Sequence, residues 1–341
     1  MSQIANIALR AHGWIRIGGL IGFLSAVMPA TALELYVSTS GSDADPGTID
    51  RPYRTISKAA AAARPGTDIF VRGGRYDGVV RIYNDGSASK PIRLQPYQRE
   101  KVVIDGATTK TDTDLVLISA NHVIFRNFEV VNATRTGICA WGTHGVHIVN
   151  NTIQGSVRGA IWVGHSAAGK SSQNLVEGNV ARANAIINSS RTRMKGWPVT
   201  IAVAVSDHTV VRNNIVYQNF GEGIGVLSSR GVTIQSNRVF DNYSVMIYLD
   251  NAPATVVKNN VVYSSGDARY FRQGRPANGV LVANEFTAIQ LPSKGIRIES
   301  NKLIGVGDVS YGSYERGGGL RQSVIRDNIV VVAVEGPVKI Q

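Results

Sequence analysis

The chain has 341 residues and 43% hydrophobic side chains, enough to bury a large core, and its 36 glycines with only 7% aromatics suit short strands and tight turns better than helical packing. Thirty-six Lys and Arg against 24 Asp and Glu give a charge of +12, which serves either solubility or an anionic partner. The only cysteine, Cys139, excludes an intramolecular disulfide, so stability must come from backbone pairing and packing. No P-loop, zinc-ligand cluster or GxSxG elbow occurs.

The first 32 residues read as an export signal. Arg10, His12 and Arg16 precede an apolar run, Ile17 to Val27, that is too short to span a bilayer. Ala30-Thr31-Ala32 supplies small residues for cleavage after Ala32, and an uncleaved anchor is the alternative. No later stretch is apolar enough to cross a membrane, so the mature chain is expected to be secreted or periplasmic, without stable membrane insertion. Residues 33–341 are expected to form one domain, with 33–75 holding an N-terminal strand and helix and 76–341 the repeating body.

Leu35 to Val37 starts a strand, and Ser38 to Pro52 is rich in Ser, Gly, Asp and Pro and reads as a loop. Thr55 to Ala63 is the one convincing helix, with Thr55 as N-cap and Pro65-Gly66 as its stop. Asp68 to Arg72 is a strand turned by Gly73-Gly74.

This opening, YVS-x-x-GSD-x-x-PGT-x-x-x-PY-x-TI-x-x-A followed by a helix, resembles the N-terminus of the pectin-lyase-like right-handed parallel β-helix superfamily. The resemblance implies an all-β right-handed solenoid whose short helix caps the open first coil. It also implies a carbohydrate-active protein of lyase, glycosidase or uronan-epimerase type. A cap is physically required, because the first coil otherwise exposes apolar surface and an unpaired strand edge.

The body repeats one phrase, an asparagine beside short apolar runs, at Asn127, Asn151, Asn179, Asn214, Asn237, Asn260, Asn301 and Asn328. The shortest interval, 23 residues, sets the coil, and longer intervals mark loops inserted at turns. The asparagines are read as a structural ladder, since Asn tolerates left-handed backbone and its amide can bond the coil above. Two insertions stand out: Ile186 to Trp197, with Arg191, Arg193, Lys195 and Trp197, and Ser264 to Pro276, with Arg269, Arg272 and Arg275 around Tyr270 and Phe271.

Strand alternation defines an outward face. If Ile161, Val163, Ile201, Val203, Ile224, Val226, Ile247 and Leu249 point inward, one outward column runs Trp162, Ala202, Gly225, Tyr248 and its neighbour runs Gly164, Ala204, Leu227, Asp250. The same alternation turns Ala160, Thr200, Gly223 and Met246 outward. A floor of small residues thus lies between two aromatics about 14 Å apart, at the usual spacing of neighbouring strands. Arg158, Trp162, Arg193, Trp197 and Tyr243 are the expected substrate contacts.

The chemistry divides on this face. A lyase must neutralise a uronate carboxylate, a task for Arg158, Arg193 and Lys195, and needs a base, for which Lys195, Tyr248 or His165 are candidates. A glycosidase needs two carboxylates about 5–9.5 Å apart. Glu222 and Asp250 are the obvious pair, but extended geometry puts them some 16 Å apart unless the turn folds Glu222 inward. The superfamily's aspartate-rich calcium clusters have no counterpart, since no Asp-Asp pair occurs, so no cofactor is expected and calcium lacks a clear ligand set. The expected partner is an acidic polysaccharide acted on by a monomer, with lyase or epimerase chemistry first, glycoside hydrolysis second and a non-catalytic carbohydrate-binding or adhesin-like role third. Nucleic acid is disfavoured by the export signal.

Overall fold

In the computed structural model the described residues are 32–192, 196–312 and 320–332. The expected export signal and two site candidates, Arg193 and Lys195, lie outside them. The chain winds through three parallel sheets of 11, 10 and 9 strands. One coil shows the plan: Val210–Arg212 lies in the first sheet, Ile215–Tyr217 in the second and Glu222–Leu227 in the third. Thr233–Gln235 then returns beside Val210–Arg212, with Val210 paired to Thr233. The architecture is an all-β parallel β-helix.

The three-residue strands of the central coils send their middle side chain inward, so Val211, Val216 and Ile234 are fully buried. The longer strands of the nine-stranded sheet add Ile224, Val226, Ile247 and Leu249 to the same continuous core. The helix Ile56–Ala62 is capped by Thr55, whose hydroxyl accepts from Lys58 N. Its Ile56, Ala59 and Ala60 join the core, and it packs on the strands Glu34–Val37, Asp68–Val71 and Val80–Ile82. Among the described residues, no helix is long and apolar enough to cross a membrane.

The asparagine ladder runs from Asn151 through Asn179, Asn214, Asn237, Asn260 and Asn301 to Asn328. Each side-chain oxygen accepts both the backbone N–H and the amide of the asparagine in the preceding coil; Asn237 takes Asn214 N and Nδ2, each at 3.0 Å. Buried amides are tolerable here because the stack pairs them. Asn127 is a correction: Asn151 Oδ1 accepts from Phe128 N instead, so Phe128 holds the ladder position. Asn127 is the left-handed corner residue (φ 66°), as are Asn150, Asn213 and Asn259 in later coils. Two adjacent residues divide the two roles that the sequence reading gave to one. A second ladder at the next corner, Asn184, Asn219 and Asn242, was not anticipated.

The alternation also breaks once. Met246 and Ala160 belong to the core, Thr200 is fully buried, and a Cβ on Gly223 would meet the Val239 side chain and Met246 O. These four therefore face inward, contrary to strict alternation. Two consecutive inward residues, such as Met246 and Ile247, bend the strand. Val245 thereby joins Tyr248 in an outer apolar cluster with Ala283. Glu222 lies one coil earlier at the position of Val245, in register with Val199.

Candidate active site

The nine-stranded sheet brings the expected outward columns into register. Trp162 pairs with Ala202, Ala202 with Gly225 and Gly225 with Tyr248, while Gly164, Ala204, Leu227 and Asp250 form the neighbouring column. A groove of about 500 Å³ lies on this floor, with Trp162, Ala202 and Leu227 among its lining residues. Trp141, one coil before, stacks on Trp162 with ring centroids 5.1 Å apart and an interplanar angle of 19°. Gly164 lets the next coil approach, since a Cβ there would strike Ala204 O and lie 3.1 Å from the Trp162 ring.

Carboxylates gather past the other end of the floor. Tyr248 donates its hydroxyl to Glu285 Oε1 at 2.7 Å. Asp250 Oδ1 accepts from Glu285 N at 2.7 Å and from Asn251 Nδ2 at 2.8 Å. Glu222, 7% exposed, is driven up to a pKa of about 8, first by burial and then by the negative charges of Glu285 and Asp250, with Arg272 opposing. Glu222 lies at the outer-face position that Val245 holds one coil later, and the charge of Asp250 acts on its carboxyl. Burial, the hydrogen bond to Glu285 and the surrounding carboxylates hold the Tyr248 proton well above the ordinary phenol range. A tyrosine in that state is a donor and a poor base.

The two basic insertions meet beside Glu222. The Arg272 guanidinium lies 4.1 Å from the centroid of the Trp197 ring, and Tyr243 donates its hydroxyl to Arg191 O at 2.9 Å. Tyr243 therefore anchors a loop, where the sequence reading made it a substrate contact. His165 stands apart from the carboxylates. It belongs to the coil of Trp162, three strands or about 14 Å from Tyr248, its ring 4.9 Å from Trp141 and its Nδ1 accepting from Ala167 N. Arg158 lines the groove and pairs with Asp112 at 3.1 Å. Lys195 and Arg193 lie outside the described residues.

Glu285, Arg272, Asn251 and Trp141 were not predicted as site residues. Trp141 was within reach, because Ile138 to Trp141 aligns with Ile161 to Gly164. Glu285 was not: it sits in a third insertion, after the strand Asn278–Ala283, hidden in an interval whose length the second insertion appeared to explain. Among the described residues no group of three or more His, Cys, Asp or Glu is arranged to hold a metal.

Comparison with known proteins places these features. Residues 35–247 match the family described as Pel9A-like, right handed beta helix region, and residues 186–339 match a right handed beta helix region. The chain is 32% identical over 176 residues to pectate lyase PEL9 of Emericella nidulans, covering 47% of this chain and 42% of that protein. It is 38% identical over 93 residues to the uncharacterized protein YwoF of Bacillus subtilis, covering 26% and 20%. The chain thus spans less than half the length of the curated relatives it matches. The crystal structure of pectate lyase Pel9A superposes with a TM-score of 0.59 at 16% identity, covering 86% of this chain and 79% of that one. An alginate lyase from a Paenibacillus species superposes at 0.58 with 15% identity, covering 81% and 94%. At such identities the superpositions speak for the fold. The family match spans most of the chain, which belongs to the Pel9A-like family of right-handed parallel β-helix proteins.

Proposed function

We propose that this protein is an exported carbohydrate-active enzyme that cleaves an acidic polysaccharide by carboxylate acid–base chemistry, in the groove over its nine-stranded sheet. The observation that carries the reading is the buried Glu222, whose carboxyl pKa is pushed up to about 8 by burial and by the charges of Glu285 and Asp250. An acid that keeps its proton near pH 7 next to a second carboxylate is what glycosidic cleavage requires. Glu222 would protonate the departing glycosidic oxygen. Asp250, oriented by Asn251 and the Glu285 backbone, would activate water or attack the sugar. Tyr248 and Glu285 form a hydrogen-bonded pair that positions the reacting unit.

A second reading, β-elimination or epimerisation of a uronate, is favoured by the family match and by the named relative, a pectate lyase. Two of its three candidate bases fit poorly, because Tyr248 holds its proton tightly and His165 lies about 14 Å away. It therefore rests on Lys195. Purified protein incubated with a panel of neutral and uronate polysaccharides separates the readings. New reducing ends without ultraviolet absorbance indicate hydrolysis, and an absorbing unsaturated product indicates elimination. Binding without either would support a carbohydrate-binding solenoid.

A further inference from the structure

The groove is electrically polarised along the solenoid axis. One end is lined by Val199 and Leu227, whose partners in the next coil are Glu222 and Asp250, and the other is edged by Arg135 and Arg158. These arginines occupy the same turn in successive coils, with Arg158 N donating to Arg135 O at 2.8 Å, and both line the groove beside Trp162. Each pairs with an aspartate from an earlier coil, and only the Arg135 partner is buried. Arg135 makes a two-pronged pair with Asp114, whose side chain is 4% exposed, and Arg158 pairs through Nη2 with Asp112. Those pairs leave the Arg135 Nη1 and the Arg158 Nε and Nη1 without hydrogen-bond partners among the described residues, although both side chains are about half exposed to solvent.

We infer that Arg135 and Arg158, with the Trp162 ring, form a subsite for the carboxylate of a uronic acid unit, placed two to three coils, or about 10 to 14 Å, along the axis from Glu222. The inference rests on the polysaccharide-cleaving reading of the same groove and adds where the substrate carries its charge. A guanidinium presents a rigid planar fork matched to a carboxylate, and one already oriented by a buried aspartate loses little freedom on binding. The adjacent indole offers the apolar face of a sugar ring a stacking surface. The carboxylates at the far end repel a second anionic unit there. The favoured chain therefore carries an acidic residue over the arginines and a neutral one at the scissile position.

The test measures binding by calorimetry with the full chain carrying Glu222→Gln, which silences turnover. Hexamers of galacturonate and of guluronate, and a xylose hexamer bearing one glucuronic acid, are each compared with their methyl esters. At least one acid is expected to bind about tenfold tighter than its ester, with the preference weakening as salt rises. Arg158→Gln should erase the difference while leaving ester affinity and the melting temperature unchanged, because its partner Asp112 is 60% exposed and needs no counter-charge. Arg135→Gln is made together with Asp114→Asn, so that no buried carboxylate is left unpaired. Trp162→Ala should weaken acid and ester alike. Equal binding of acid and ester throughout, no binding by any member, or a preference that survives both arginine variants would overturn the inference. A sulfated galactan hexamer that outcompetes every uronate would overturn the carboxylate assignment. Tight binding of an acid that the unmodified enzyme never cleaves would instead sink the cleavage reading and leave the subsite standing.

Discussion

Replacing Glu222 by Gln isolates the energetic signature of the site. The folded protein holds this carboxyl at about pKa 8 against an ordinary value of 4.5, so the folded state binds the proton more tightly than the unfolded chain does. Stability is therefore complete below about pH 4.5 and is lost as the pH rises towards 8. The loss runs at about 1.4 kcal/mol per pH unit and totals about 5 kcal/mol over that window. Gln is nearly isosteric and has no proton to lose, so the variant lacks this term. Denaturant unfolding of both proteins from pH 4 to 9 should give curves that converge at low pH. The variant should then become more stable than wild type by about 3 kcal/mol at pH 7. Activity should move the other way. Turnover in wild type falls as Glu222 ionises near pH 8, and the variant loses about 10²- to 10⁴-fold at every pH. A stability difference that stays flat across the pH range would refute the reasoning, because Glu222 would then not be a buried, proton-retaining acid.

Other outcomes follow from the same contacts. Tyr248→Phe removes the hydroxyl bonded to Glu285 and should cut turnover about 10- to 100-fold without moving the melting temperature, checked by steady-state kinetics and a thermal melt. Asn237→Ala leaves Asn214 N and the neighbouring amides unpaired in a buried stack and should cost about 3 kcal/mol or more in denaturation. Asn127→Gly should be neutral or mildly stabilising in the same assay, since Asn127 serves as a left-handed corner outside the ladder.

The coil length, the capping helix and the two outward columns were legible because each depends on periodicity. A residue and its partner in the next coil differ by a full turn, and whichever side chain faces the core must be apolar. Asn127 was misplaced by one position because the corner and ladder residues are adjacent and chemically alike, so sequence spacing alone cannot separate them. Gly223 and Met246 were turned the wrong way because alternation assumes a straight strand. The bend after Glu222 leaves no mark in the sequence beyond a glycine where a side chain would strike Met246 O.

What the sequence by itself determined is the solenoid and the identity of its floor: the run from Trp162 across Ala202 and Gly225 to Tyr248 follows from short-range pattern. Only the tertiary structure decided which charges meet. Glu222 takes an outer-face position where the charges of Asp250 and Glu285 act on it, Glu285 arrives on a loop after the strand Asn278–Ala283, and Arg272 comes from an insertion whose length was visible but whose direction was not. The physical reason is that backbone pairing repeats with each coil and is encoded locally. A proton-holding site needs several charges from distant loops buried together, and their mutual desolvation exists only once the chain is wound.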